Sequence, residues 1–147
     1  MPSLQKLKTL FRYSPLLIET FFWLGVARLA MVTLPFRWIE PYLGTRTIES
    51  SLDELPENPE RLKRIAWAVN RMSKYTPWQS KCLVQAIAAK RMLQSRQIVS
   101  TLYLGVARNN SKSLEAHAWL RSGSMYLTGG QGEKHFTVVA MFAEENQ

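Results

Sequence analysis

One cysteine, Cys82, and two histidines, His117 and His135, are all the thiol and imidazole that this 147-residue chain holds. A single cysteine cannot close an intramolecular bridge, so a disulfide scaffold is excluded, and a four-ligand zinc site of thiolate and imidazole lacks its donors. No metal or cofactor is expected. Carboxylates are scarce as well: 11 Asp and Glu face 19 Lys and Arg, for a formal charge of +8. The scarcity is concentrated, because from Arg61 to Arg108 ten Lys or Arg stand without one Asp or Glu, in a block that contains Cys82. Two readings of the block stay open. It sets up a positive field that favours a thiolate and attracts an acidic peptide or partner, or it is a solvated basic helix surface. Nucleic acid is not expected, since no binding motif accompanies the charge and the aromatics do not alternate with the cations as a stacking platform requires.

A clean membrane span is also missing. Residues 15–36, PLLIETFFWLGVARLAMVTLPF, are the most apolar stretch, but Glu19 and Arg28 interrupt it short of the ~20 uninterrupted apolar residues that a spanning helix prefers. At ~100° per residue those two charges point to opposite sides, so the predicted helix has no polar face. Burial against the fold or a partner is one destination for it. Contact with a membrane surface, helped by Lys6, Lys8 and Arg12, is the other. No short apolar run ends in a small-residue cleavage site, so a removable secretory signal is not expected and cytoplasmic residence, with or without membrane association, is.

What is present reads as one domain's worth of α+β structure, helices first and a mostly antiparallel sheet after them. Residues 1–58 form an N-terminal helical segment and connector, packed on the core or on a partner; residues 59–147 form the core itself. The polar stretch TRTIESSLDELPENPE after Gly44 reads as the connector. Asn58 and Pro59 then open a helix with Leu62, Ile65, Ala66, Val69 and Met72 at helical spacing, running to about Lys74. TPWQS breaks it, and Ser80 is the expected N-cap of a second helix, KCLVQAIAAKRMLQS. The period then shortens: VSTLYLGVA, EAHAWLR, MYLTG and HFTVVAMF read as four strands, the middle two joined by a Ser-Gly-Ser turn, with Phe136, Val138, Ala140 and Phe142 on one face of the last.

On this assignment Cys82 lies in the first turn of a helix, where free N–H groups and the backbone dipole favour a thiolate, and Lys81 acts in the same sense. Gln79 is a candidate donor to an oxyanion formed on an attacked carbonyl. Taken alone, Cys82 reads equally as a small buried apolar residue. His117 shares a strand face with Glu115, Trp119 and Arg121. It is either a general base for the thiol or a histidine that satisfies a core hydrogen bond. A hairpin through Ser122 and Gly123 sets it opposite Thr128 or Gly129, so its orienting group is expected to be the Thr128 hydroxyl or a nearby backbone carbonyl, with Gln131 and Glu133 within reach of the following loop.

PWQSKCLVQAIAAKRMLQSRQIVSTLYLGVA, AHAWLRSGSMYLTGG and HFTVVAMF, in that order, resemble the lasso-peptide biosynthesis B family, leader peptidases with a transglutaminase- or papain-like cysteine protease core. The likeness runs from about Pro35 to Phe142. It implies that Cys82 is the nucleophile and His117 the general base. That family commonly carries an Asp on the strand after the histidine, where this chain has YLTGG. The chain is similar to the stand-alone protease half of a split system, which implies three partners: a precursor leader peptide, a separate leader-recognition protein and an ATP-dependent lasso cyclase. Two alternatives share the fold: a non-catalytic module that binds a peptide or partner, and an acyltransferase using the same Cys–His pair.

Overall fold

The computed structural model describes residues 14–46, 59–77, 81–108, 113–130 and 136–144, together with Leu4, Gln5, Lys8 and Arg12. Among the described residues the helices are α1 (Ser14–Thr33), α2 (Phe36–Leu43), α3 (Pro59–Ser73) and α4 (Cys82–Ser95). A two-residue strand, β1 (Thr45–Arg46), follows α2, and the remaining strands are β2 (Thr101–Arg108), β3 (Leu114–Ser122), β4 (Met125–Thr128) and β5 (Thr137–Ala143). All pair antiparallel in the order β1-β5-β2-β3-β4. The α+β class expected from the sequence is the class observed. β1 was not expected, because two residues of a polar connector carry no period; it forms because Thr45 and Arg46 lie against Ala143 and Phe142.

The central element is α4. Val84, Ala86, Ile87, Ala88, Ala89, Lys90, Met92 and Leu93 are buried on all its sides, which the high alanine content permits by letting neighbours approach closely. Leu24 and Ala27 of α1, Leu62, Ile65 and Val69 of α3, and Leu102, Ala118, Leu120 and Phe142 of the sheet complete one core with it. The helices thus cover one face of the sheet. Tyr103, Trp119 and Arg121 are buried outside that core, their side chains on the opposite face by strand alternation.

Two irregularities decide which residues face the helices. The β2–β5 ladder shifts between Leu104 and Gly105, so Ala140 pairs with Leu104 but Val138 pairs with Gly105. The expected single face of Phe136, Val138, Ala140 and Phe142 is therefore divided: Ala140 and Phe142 meet the helical core, whereas Phe136 stacks on His117 at 5.0 Å on the other side. The β3–β4 ladder shifts between Leu120 and Arg121, which sets Thr128 against Leu120.

Three cations of the basic block are engaged within the fold, one of them fully buried and two half-buried. Lys90 is fully buried and donates to Ser100 O (2.7 Å) and Ser100 Oγ (3.0 Å) beside the Glu144 carboxylate at 3.0 Å. Burial pushes its pKa down, and Glu144 opposes that by favouring the charged form. Arg96 makes a forked pair with Glu19 of α1 at 2.9 and 2.6 Å, which holds its pKa above the ordinary value. Arg91 lies over the rings of Trp23 (5.2 Å) and Tyr42 (5.8 Å). The block is not one solvated face.

Candidate active site

Cys82 is the first helical residue of α4. The N-cap is Lys81, in extended conformation and without a side-chain capping bond, rather than the expected Ser80, which lies outside the described residues together with Gln79, Gln131, Glu133 and His135. Gln85 N to Lys81 O, 2.9 Å, closes the first helical turn, so the N–H groups of Cys82, Leu83 and Val84 come before the helix's own ladder begins. Cys82 is a half-buried free thiol at the margin of the helical core. That position suits a nucleophile: the sulfur borders the core, and backbone donors at the helix start are oriented for a developing oxyanion.

His117 lies on β3 opposite Gly105 of β2. Its imidazole belongs to a row of rings: Phe136 at 5.0 Å on one side, Trp119 at 6.0 Å on the other, then Tyr103 on Trp119 at 5.4 Å. Gly105 makes this row feasible, because a Cβ there would come within 2.8 Å of the Trp119 ring and 2.9 Å of Phe136 Cβ. Arg121 closes the row, donating through Nε and Nη2 to Tyr103 Oη at 3.0 and 2.9 Å.

His117 Nε2 lies 3.2 Å from Gly129 O. A carbonyl only accepts, so in neutral His117 the Nε2 carries the proton and donates it, leaving Nδ1 as the basic nitrogen. Thr128 does not make this bond. The β3–β4 shift sets it opposite Leu120, three residues from the histidine, and its Oγ1 is buried without a hydrogen-bond partner. Gly129 then turns back at φ +60°, and only glycine fits: a Cβ would stand 2.5 Å from Ala118 O and 2.9 Å from His117 Nε2.

Cys82 and His117 are not hydrogen-bonded to each other. Ala118 and Leu120 join the helical core on the α4 side, and alternation sends His117 to the other side of β3. A cleft of about 360 Å³ is lined by Ala66, Trp67 and Asn70 of α3, Gln85 of α4, and Leu127, Thr128 and Gly129. Its lining thus includes a residue of the first turn of α4 and the residue whose carbonyl holds His117. Sequence reasoning missed Trp67, Asn70 and Gln85, which look like ordinary surface positions of two amphipathic helices. Among the described residues, no three His, Cys, Asp or Glu side chains lie close enough to hold a metal ion.

A family model described as the transglutaminase-like superfamily matches residues 30–141. No curated protein and no solved structure matches the chain.

Proposed function

The chain belongs to the transglutaminase-like superfamily, and from that premise we propose that it is a cysteine peptidase that removes the leader from a ribosomally made lasso-peptide precursor. The observation that carries the reading is a half-buried thiol at the start of α4, together with an imidazole held through Nε2 by the carbonyl of Gly129, a residue that lines the α3–α4–β4 cleft along with Gln85 of the first turn of α4. Cys82 attacks the carbonyl that ends the leader, His117 Nδ1 takes the thiol proton and passes it to the departing amine of the core peptide, and the leader remains as a thioester. Water then hydrolyses that thioester, with the histidine again as base. The N–H groups at the start of α4 receive the oxyanion, with Gln79 as a further donor.

In the peptide-free chain the two groups share no hydrogen bond and stand on opposite sides of β3, so the proposed pairing requires the imidazole to be repositioned when peptide enters the cleft. The proposed setting is cytoplasmic, with a separate leader-recognition protein delivering the precursor and an ATP-dependent cyclase consuming the released core. Support for this finer reading comes from the resemblance in the stretches around Cys82 and His117.

The test is intact-mass analysis after acid quenching of the chain with precursor and recognition protein. The expected species is the chain plus the leader less one water, absent from Cys82→Ala. A non-catalytic peptide-binding module on the same fold leaves no adduct and no cleavage. An acyltransferase forms the adduct but passes the leader to an added amine in preference to water.

A further inference from the structure

α1 presents two apolar sides. Thr20, Leu24 and Ala27 are buried against the fold, yet Ile18, Phe22, Leu29 and Val32, which fall on the opposite side of the helix at ~100° per residue, are 70, 59, 63 and 58% exposed. Gly25 is the residue between Phe22 and Leu29 on that stripe, so no charged side chain interrupts it. Both charges of the helix lie off it, Glu19 being held by Arg96 and Arg28 half-buried. Beside that stripe, round the helix, an apolar groove of about 300 Å³ lies between α1 and α2, lined among others by Trp23, Ala30, Leu34, Trp38 and Tyr42, the last two 56 and 63% exposed.

We infer that this face docks in the plane of an anionic lipid bilayer. Charge complementarity selects that occupant: the described residues from Leu4 to Arg46 carry five cations, Lys8, Arg12, Arg28, Arg37 and Arg46, against two carboxylates, Glu19 and Glu40, each already in an ion pair with an arginine. Lys8 and Arg12 precede the apolar stripe and Arg37 follows it, all three exposed, while Arg46 is the partner of Glu40. An apolar stripe about 21 Å long, with cations at both ends and Trp and Tyr at one of them, matches the acyl boundary and headgroup layer of an anionic leaflet. By length and composition Ser14–Thr33 could also cross a membrane. The geometry favours lying in the plane, because crossing would tear Thr20, Leu24 and Ala27 from the core and break the forked Glu19–Arg96 pair. The inference is independent of the peptidase reading.

The experiment is flotation of the full chain with vesicles of equimolar phosphatidylglycerol and phosphatidylcholine, and with phosphatidylcholine alone. Binding is expected to the anionic vesicles, about tenfold weaker to the neutral ones, and weakened by salt. The double variant Phe22→Ser/Leu29→Ser, at exposed positions, should lose at least about tenfold in binding with an unchanged circular dichroism spectrum. Arg37→Glu should weaken binding to the anionic vesicles only. Four outcomes overturn the inference: no flotation with anionic vesicles; undiminished binding of the double variant; a concentration-dependent oligomer that the double variant converts to monomer, making the face a contact between copies; or retention through an alkaline carbonate wash, making α1 a span.

Discussion

Gly129 shows how one residue sets the candidate chemistry. With β4 and β3 in simple register, Thr128 would lie beside Trp119, two positions from His117; the extra residue in β4 moves it to Leu120, and the histidine is held by a carbonyl instead of a hydroxyl. Gly129→Ala should lower stability by about 2 kcal/mol, since the residue must keep a positive φ and its Cβ meets Ala118 O, and should also reduce turnover by displacing His117. Thermal unfolding and leader release measured on one preparation check both effects. Thr128→Val should raise stability by up to about 1 kcal/mol, because it removes a buried hydroxyl that has no partner. Its kcat should stay within about twofold of the parent if Gly129 O is the orienting group; a loss near tenfold would restore the hydroxyl to that role. Cys82 at a helix start and His117 on the next-but-one element were legible as residues. Thr128's displacement was not, because a bulge adds a residue to a ladder without a signature in the four-residue run MYLT.

At the scale of elements, α3 and α4 were legible to within a residue or two, since Leu62, Ile65 and Val69 keep one period and proline opens the helix. The engagement of Lys90 and Arg96 within the fold was not legible. Its partners are Glu19, 77 positions from Arg96, and Glu144, which closes on α4 only after four strands have turned back. Lys90 carries a pH signature. Its folded pKa lies below its unfolded value of about 10.4, so the unfolded chain binds more protons between the two. Stability from this group is therefore reduced at neutral pH and recovers as pH rises through the folded pKa toward about 10.4. Denaturant midpoints of the parent and Lys90→Met across that interval should converge or cross in the parent's favour as pH rises. A difference independent of pH would show that the ammonium bears no burial cost. Glu144 keeps the Ser100 N–H and the Gln94 amide at 3.0 Å each, so the substitution does not strand it. Glu19→Gln should loosen α1 by about 1 kcal/mol, read as faster amide exchange across Ser14–Thr33.

For the molecule as a whole, one central helix begins with the thiol, and one antiparallel sheet carries the imidazole on the side of β3 away from the helices. The central claim is that these two groups act together on a peptide bond. Leader release from the precursor, in the presence of the recognition protein, tests it most directly in the parent, Cys82→Ala and His117→Ala, each confirmed folded by circular dichroism. Both variants are expected to lose at least about 10³-fold in rate, as removal of one member of a nucleophile–base pair does. Release by His117→Ala at the parent rate would separate the imidazole from the chemistry, and release by Cys82→Ala at the parent rate would contradict the account outright.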